Sequence, residues 1–515
     1  MKNYRREDLG VALLACLVLL VFVLRHQQFF HDDAFISLRY ARNFAEHGEL
    51  TWNLGEYVEG YTNFLYVLIS AVPIRFGIDP TYAVQIINLV AAFSMLIMQV
   101  YASRLILPGS QARLARASIV VATAATPALA IWVMGGLEAV VVSTFATAGL
   151  LALLPIAGKA AAPRNIFWAA LAFSLAVLTR LDIAVFIAGA GAGLLMGNAG
   201  TLGKRLLPAV IVVGVPALVS FAHMAWRYSY YGDFLPLTFH AKTEVEFLVR
   251  LKFLPEFVSM SLPSIVMLTV AFLTSIWAVC RRQVSPYFWL LFLPVALQSA
   301  YVVWSGADHM PAARVLVPVM PAAGLLLLAA LKDSPPKLAS FVCIAAAGIT
   351  FLGAIAKPPQ AMDPAGDIGR VVGLYIKKSW PKDSTVALHT AGSTPYFATS
   401  MTFIDMLGLN DPTIAKRKNV PILAPWQSVP GHGKGDGKYV MERKPDYIIG
   451  GPATGSDFAT DYPWFLTDIE LPQIDGFNDC YALVTETIKI EDTPPWRGRK
   501  QPKPLLFKYY QKTCD

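Results

Sequence analysis

The chain has 515 residues, of which 55% are hydrophobic and only 15% are charged. Its mean hydropathy of +0.49 is far above that of a soluble domain, so the chain is expected to cross a membrane several times. The formal net charge is +8, and residues 1–356 carry most of it, with 24 Lys and Arg against 17 Asp and Glu. Because this excess lies in the loops between apolar runs and not on one polar domain, a nucleic-acid-binding protein is excluded.

Apolar runs about as long as a bilayer core requires follow one another over the first two thirds of the chain. They predict about eleven transmembrane helices, over residues 9–25, 83–106, 117–134, 138–156, 166–180, 183–198, 206–226, 257–280, 286–304, 315–331 and 338–356. The composition changes at Lys357-Pro358-Pro359, after which the chain is mixed and nearly neutral. We therefore predict a transmembrane domain at 1–356 and a soluble domain at 357–515.

Residues 61–77 are also apolar, and whether they cross the membrane decides on which side every later loop lies. If they lie along the membrane surface instead, one side receives fourteen Lys and Arg and only three acids, Glu7, Asp8 and Asp333. Positive residues accumulate on the cytoplasmic side, so the surface arrangement is preferred. It predicts a multi-pass protein of a bacterial inner membrane, with a cytoplasmic N-terminus and a periplasmic C-terminal domain.

The predicted periplasmic domain reads as a mixture of helix and strand. An amphipathic pattern predicts a helix over 367–380, and apolar runs bounded by Gly, Pro and Asp predict strands over 384–389, 447–450 and 482–488. Cys480 and Cys514 are the two cysteines outside the predicted spans. An oxidising compartment permits a disulfide between them, and two unpaired thiols are the alternative.

Two adjacent carboxylates, Asp32 and Asp33, follow the first span directly. Charge at a membrane boundary is costly and usually marks a site of chemistry or ion handling. The predicted orientation brings further polar residues to the same side of the membrane. They are Glu59, Tyr61 and Asn63 in the first outer loop, Glu138 in the second, Arg180 and Asp182 in the third, Arg227, Asp233, His240 and Lys242 in the fourth, and Asp308, His309 and Arg314 in the fifth.

This combination suits the reaction of a lipid phosphate with a hydroxyl group. Arg227, Lys242 and Arg314 are candidates for binding the phosphate, because guanidinium and ammonium groups bind phosphate at headgroup depth. A carboxylate must accept the proton of the attacking hydroxyl. We assign that role to Asp32, while Asp33 caps its helix and contacts sugar or acceptor. The other polar residues of the outer loops are candidate contacts to sugar or acceptor.

Each group also has a structural interpretation. Asp33 can be a helix cap without any role in chemistry. Glu138 and Asp182 can form a salt bridge with Arg180. The basic residues Arg227, Lys242 and Arg314 can be anchors at the membrane interface. Histidines beside carboxylates suggest metal ligands, but their spacing here is not diagnostic. No metal or other cofactor is therefore assigned, with a divalent cation as the alternative.

At these residues the chain resembles the GT-C fold glycosyltransferases, and within them the bacterial arabinofuranosyltransferase branch, which includes the terminal cell-wall arabinan transferase and the pilin arabinosyltransferase. The segments that carry the resemblance run in order along nearly the whole chain. They are DDAFISLRYARNFAEHGELTWNLGE, VEGYTNFL, GGLEA, TRLD, YYGDFLPLTFHAK, GADHMPAARVLVPV, DMLGLNDPTIAK and PGHGKGDGKYVMERKPDYII. The resemblance implies a base at Asp32 or Asp33, surface helices at 34–47 and 61–77, and a soluble outer domain.

The predicted function is transfer of a sugar, D-arabinofuranose in this interpretation, from a polyprenyl phosphate to an acceptor hydroxyl on the periplasmic face. The acceptor is a glycan, a lipid or a pilin-like protein. The chain has no GxxxxGK[ST] loop, and no nucleotide is needed. The alternatives are transfer of another polyprenyl-phosphate sugar such as mannose, and transport of a lipid-linked sugar, which would place its charges near the bilayer midplane.

Overall fold

The computed structural model describes residues 6–160, 162–197, 202–243, 251, 254–429, 431–455, 463–489 and 504–514. Lys2 and Arg5, which contribute to the predicted orientation, and Asn198, at the end of the predicted span 183–198, lie outside these ranges.

Helices account for most of the chain up to residue 356. They are α1 (Arg6–Arg25), α2 (Asp32–His47), α3 (Phe64–Arg75), α4 (Pro80–Ile106), α5 (Arg113–Ala125), α6 (Pro127–Met134), α7 (Ala139–Leu153), α8 (Pro163–Thr179), α9 (Ala184–Gly197), α10 (Leu202–Tyr231), α11 (Leu237–Thr243), α12 (Leu254–Cys280), α13 (Phe288–Trp304), α14 (Met320–Ala330) and α15 (Pro336–Ala356). Each predicted span coincides with one or two of these helices.

Among the described residues, seven helices are long and apolar enough to cross a membrane, and α5 with α6 would make an eighth. Three further predicted spans coincide with α8, α9 and α13, which are apolar but shorter. The chain is thus a multi-pass membrane protein. The segment Pro311–Ala330, which contains α14, is the most enclosed of the candidate spans, because 94% of its most apolar stretch is buried inside the protein.

The predicted span 117–134 is not one continuous helix but a bent pair, α5 and α6, which together pass as a candidate span. The helix ends at Ala125, Thr126 adopts extended backbone angles, and α6 begins at Pro127 with a bend of 43° between the two helices. Pro127 has no N–H to continue the ladder of α5, whereas its fixed φ suits the first position of a new helix.

The two predicted surface helices form as α2 and α3. Gly48 ends α2 in a left-handed conformation (φ 80°), and its N–H bonds to the carbonyl oxygen of Phe44. At 12 residues, α3 rises about 18 Å, well short of a bilayer core of roughly 30 Å. The helices α8, α9 and α13 are also shorter than a full span, so length alone does not distinguish α3 from them, and the surface position of residues 61–77 stays a prediction.

The described residues after 360 form a five-stranded sheet with short helices. Its elements are α16 (Pro364–Ser379), β1 (Thr385–Leu388), α17 (Ser393–Phe397), β2 (Thr402–Asp405), α18 (Pro412–Ala415), α19 (Gly437–Glu442), β3 (Tyr447–Ile449), α20 (Leu466–Glu470), α21 (Phe477–Cys480), β4 (Tyr481–Ile488) and β5 (Leu505–Lys512). The predicted helix and the three predicted strands are confirmed as α16, β1, β3 and β4. The strands β2 and β5 were not predicted.

The strand order is β2-β1-β3-β5-β4. β1 pairs in parallel with β2 and β3, and β5 pairs in antiparallel with β3 and β4. Successive side chains of β1 enter different cores, since side chains alternate between the faces of a sheet. Val386 and Leu388 pack in the core that includes α2 and α16, and Ala387 packs in the core that includes α18 and α19.

The fold divides into two compact units, each assembled from separate parts of the chain. The first unit comprises Met1–Gln27, Val84–His223 and Leu254–Gln360. The second comprises Gln28–Ala83, Met224–Phe253 and Ala361–Asp515. The second unit therefore contains not only the sheet but also the segments predicted as the first and fourth outer loops.

Candidate functional site

The acidic pair stands at the start of α2, and its two carboxylates have different surroundings. The carboxylate of Asp32 accepts the backbone N–H groups of Gly392 and Ser393 at 3.2 and 2.8 Å. Asp32 itself is only 7% exposed. The side chain of Asp33 is 36% exposed. Asp33 is thus the member of the pair that a ligand in solvent can reach.

The cap of α2 also differs from the prediction. His31 is the N-cap residue, and its Nδ1 accepts the N–H of Asp33 at 3.2 Å. The expectation that Asp33 caps this helix is therefore wrong, because His31 already satisfies the N–H at that position. The Nε2 atom of His31 lies 3.5 Å from Asp363, which also accepts the N–H of Asp32 at 3.0 Å.

Burial and the negative charge of Asp363 raise the pKa of Asp32 above its ordinary value, although hydrogen bonds from Ser393 oppose the shift. Gly392 lets the two segments approach closely. A Cβ atom at this position would lie 2.2 Å from the carbonyl oxygen of Asp32 and 2.5 Å from its carboxylate. Only glycine fits without displacing one of these segments.

The other polar residues of the first loop are buried in the same unit. Glu59 is 3% exposed and forms an ion pair with Arg227, which is 4% exposed. Burial raises the pKa of Glu59 to about 7 even though the Arg227 guanidinium lowers it. The hydroxyls of Tyr61 and Tyr231 lie 3.0 Å apart, and Asn63 accepts the hydroxyl hydrogen of Ser37 at 3.1 Å.

The fourth predicted loop contributes a mixed charge cluster. A carboxylate oxygen of Asp233 lies 3.3 Å from Nε2 of His240 and 2.6 Å from Nζ of Lys416. Burial favours a higher pKa for Asp233, but its bonds to Lys416 and to the N–H of Leu235 lower it. Lys242 is half-buried on α11. Lys416 belongs to the segment after α18 and was not predicted.

In the first unit, Arg180 bridges two carboxylates. It donates to Glu138 at 2.8 Å and to both carboxylate oxygens of Asp182 at 2.9 and 2.6 Å. Burial works to raise the pKa of Asp182, but the neighbouring guanidinium outweighs it and the pKa is lowered. Arg180, Glu138 and Asp182 therefore form the salt bridge that their structural interpretation predicts.

The fifth predicted loop forms a second paired site in the same unit. Nε and Nη2 of Arg314 both lie 3.0 Å from one carboxylate oxygen of Asp308. The other oxygen accepts the N–H of Met310 at 3.3 Å and lies 3.7 Å from Nδ1 of His309. Arg227 and Arg314 are thus each already paired with a carboxylate, so a phosphate would bind beside that carboxylate or in exchange for it.

Cys480 and Cys514, the pair that the sequence pointed to, are joined by a disulfide. In the described part of the chain, no group of three or more His, Cys, Asp or Glu is arranged to hold a metal ion. The absence of a cofactor stays a prediction.

Three contributors to the acidic-pair site were missed: Asp363, Gly392 and Ser393. The Asp363-Pro364 step does carry a signal for a helix start, which α16 uses, since Asp363 caps it. Nothing in its spacing indicates that the same side chain also binds the start of α2.

The sheet region matches a known family model, and the whole chain resembles solved structures. The model, described as a domain of unknown function (DUF8728), matches residues 360–502. No curated protein sequence matches the chain.

The oligosaccharyltransferase of Archaeoglobus fulgidus in its apo form is 12% identical, with a TM-score of 0.56 over 94% of this chain and 73% of that chain. The same archaeon's oligosaccharyltransferase AglB, in complex with an inhibitory peptide and a dolichol-phosphate, is 11% identical, with a TM-score of 0.51 over 93% and 72%. The arabinofuranosyltransferase AftD from mycobacteria is 14% identical, with a TM-score of 0.50 over 98% of this chain but only 40% of AftD.

The chain has the GT-C fold. The resemblance to GT-C proteins that the sequence suggested is therefore confirmed at the level of the fold. At these identities the likeness concerns architecture, and the chemistry has to be argued from the residues of this chain.

Proposed function

We propose that this GT-C protein is a membrane glycosyltransferase that moves a sugar from a polyprenyl phosphate to an acceptor hydroxyl. The observation that carries the proposal is the partly exposed side chain of Asp33 at the start of α2, directly after the first span of a GT-C fold. The dolichol-phosphate in the AglB structure supports a lipid-phosphate donor.

In the proposed reaction, the acceptor oxygen attacks the anomeric carbon of the donor sugar. The bond between that carbon and the phosphate oxygen breaks, and polyprenyl phosphate leaves with the electron pair. The proton of the acceptor hydroxyl passes to a carboxylate acting as general base. Solvent access favours Asp33 for this role over Asp32, the residue first assigned from the sequence. Asp32 would instead position α2 through Gly392 and Ser393.

Negative charge grows on the leaving phosphate, and fixed positive groups would stabilise it. Lys242, Arg227 and Arg314 are the candidates. Arg227 and Arg314 are held by Glu59 and Asp308, and this pairing orients their guanidinium groups in the absence of donor. The remaining predicted contacts, among them Glu138, Asp182 and Asp233, stay candidates for binding sugar or acceptor.

D-Arabinofuranose is the proposed sugar. The support is the resemblance of the loop motifs to the arabinofuranosyltransferase branch and the fold shared with AftD. The proposed acceptor is a glycan, a lipid or a pilin-like protein. The proposed location is the periplasmic face of a bacterial inner membrane, and the disulfide between Cys480 and Cys514 supports an oxidising compartment for the sheet region.

A transporter of lipid-linked sugars is the second candidate, and the break between α5 and α6 is the observation in its favour, since transporters bind substrate at broken helices. The break occurs at Thr126 and Pro127, both buried, and carries no charged residue. The first N–H groups of α6 are already bonded, since Ala128 donates to the hydroxyl of Ser264 at 3.1 Å and Leu129 donates to the carbonyl oxygen of Thr126 at 3.0 Å. A phosphate at a broken helix needs charged side chains or helix N–H groups without such bonds, so this geometry favours the transferase.

The test is to incubate the purified full chain with a synthetic polyprenyl-phosphate arabinofuranose and measure released polyprenyl phosphate. Release that depends on an acceptor supports transfer. Movement of intact donor across a vesicle membrane without release would favour the transporter.

A further inference from the structure

A cleft of about 520 Å³ opens in the second unit beside the C-terminal half of α2. Arg42 and Glu46 of α2, Arg370 of α16 and the segment before α4 line it. Arg42 follows Asp32 by ten residues, which places it about 15 Å further along the same helix. The cleft is therefore separate from the acidic pair, and nothing in the proposed reaction uses it. Its volume lies in the range of small-molecule sites.

Two guanidinium groups share this cleft. Arg42 donates to the carbonyl oxygen of Tyr396 at 2.7 Å, and its guanidinium lies 3.7 Å from the centre of the Tyr396 ring. These contacts fix its position on the wall. Arg370 is only 7% exposed, yet it reaches the same cavity. Paired arginines in a concave site are suited to a phosphate, whose oxygens accept several N–H groups at once.

The cleft also contains two carboxylates. Glu46 lies on α2, one turn after Arg42, and Asp79 lies just before α4, where it accepts the N–H and the hydroxyl of Thr81. Two positive and two negative side chains give a wall without net charge. Such a wall disfavours a purely anionic ligand and fits one that carries both a phosphate and an ammonium group.

The surroundings of the cleft are apolar and exposed. Phe76, Ile78 and Tyr82 are 77%, 53% and 49% exposed, and Ile78 lines the cleft. Pro80, also in the lining, begins α4, one of the candidate membrane spans. Aromatic and aliphatic side chains at the end of a span are typical of the membrane interface. A ligand with acyl chains could therefore lie on these residues while its polar end occupies the cleft.

We propose that this cleft binds the headgroup of a zwitterionic membrane phospholipid, with the phosphate at Arg42 and Arg370 and a primary ammonium group near Glu46 and Asp79. The lipid acts as a structural ligand of the second unit, distinct from the donor and the acceptor.

The probe is phosphatidylethanolamine, added to the purified full chain in detergent, with bound lipid counted by native mass spectrometry. Phosphatidylcholine and phosphatidylglycerol are the comparison lipids, because the first lacks the N–H donors of the ammonium group and the second lacks its charge. We expect the Arg370→Gln variant to retain phosphatidylethanolamine about tenfold less well, as the loss of a charged hydrogen bond implies. The Glu46→Gln variant is expected to reduce the preference for phosphatidylethanolamine over phosphatidylcholine.

Two further variants keep the test decisive. Ile78→Trp fills the mouth of the cleft from an exposed position and should displace the lipid even if Arg370→Gln fails to fold. Arg75→Gln removes an equal charge from an exposed site on α3 that does not line the cleft. Normal lipid retention in folded Arg370→Gln or in Ile78→Trp would overturn the proposal. An equal loss in Arg75→Gln would also overturn it, because it would indicate general surface attraction. Soluble glycerophosphoethanolamine that competes as well as the lipid would exclude a membrane source.

Discussion

The carboxylate of Asp32 accepts the backbone N–H of Ser393 at 2.8 Å, across 361 positions of the chain. This hydrogen bond and the adjacent one from Gly392 join the start of α2 to the turn that follows β1. The second unit is thus held together by bonds between segments that are far apart in the sequence. Asp33, one residue later, lies on the same helix with a side chain that is 36% exposed.

Replacing Gly392 by alanine should destabilise the second unit. The new Cβ would lie 2.2 Å from the carbonyl oxygen of Asp32. Because this oxygen belongs to the backbone, relieving the clash requires a shift of the helix start and costs free energy of folding. Overpacking of this kind costs about 1–3 kcal/mol. The measurement is the thermal unfolding temperature of the purified protein in detergent, together with the resistance of residues 361–515 to trypsin.

The matched control is Gly348→Ala, since a Cβ there meets no atom within 4 Å. Its unfolding temperature should equal or exceed that of the wild type, because alanine is favoured over glycine inside a helix. If Gly392→Ala unfolded like this control, the close approach at Asp32 would have no energetic role.

The fold and the site were predictable from the sequence to different degrees. Apolar runs predicted the spans, and the distribution of Lys and Arg between the loops predicted α3 as a surface helix, because both signals can be read along the chain. The break at Thr126 was not predicted, because the run from 117 to 134 is apolar enough to read as one span. The bonds from Gly392 and Ser393 to Asp32 could not be predicted, since no local pattern records a contact over 360 positions.

Glu59 should make stability depend on pH. Its pKa is raised to about 7 by burial, well above the ordinary value of a glutamate in an unfolded chain. Between these two values the folded state retains a proton that the unfolded state releases, so stability falls as the pH rises from about 4.5 to 7. Unfolding temperatures of the wild type across this range should therefore decline, and Glu59→Gln should flatten the decline. An unchanged slope in the variant would contradict the account.

Arg180 should be more important for stability than its position in a loop suggests. Its removal in Arg180→Ala leaves Glu138, which is 2% exposed, and Asp182 without their shared counter-charge. Breaking a buried ion pair on one side costs about 3–5 kcal/mol. A lower unfolding temperature is expected, measured in the same detergent.

The control for Arg180 is the triple variant Glu138→Gln, Arg180→Met and Asp182→Asn, which removes all three charges together. It should recover much of the lost stability, because no uncompensated charge stays buried. If Arg180→Ala were as stable as the wild type but no longer bound sugar, the prediction would be contradicted, and the three residues would serve only to contact the ligand.

The disulfide should stabilise the edge of the sheet. Cys480 precedes β4 and Cys514 follows β5, so the bond closes a segment with a sequence separation of 34. Closing a segment of this length is worth about 3–4 kcal/mol in the chain-entropy account. Cys514→Ser should lower the unfolding temperature, whereas Cys280→Ser, which removes an exposed unpaired thiol, should not. Alkylation of both Cys480 and Cys514 in protein that was never reduced would contradict the prediction.

The central claim is that the chain transfers a sugar from a polyprenyl phosphate, with Asp33 as the base. Its most direct test is the release of polyprenyl phosphate from a synthetic polyprenyl-phosphate arabinofuranose by wild type, Asp33→Asn and Asp32→Asn, with acceptor present and donor binding measured in parallel. Removal of a general base typically lowers the rate by about 10²–10⁴. We predict that wild type releases the lipid phosphate and that Asp33→Asn folds, binds donor and loses release by this factor. Wild-type turnover in Asp33→Asn would contradict the assignment of the base, and no release by the wild type with any polyprenyl-phosphate sugar would contradict the function itself.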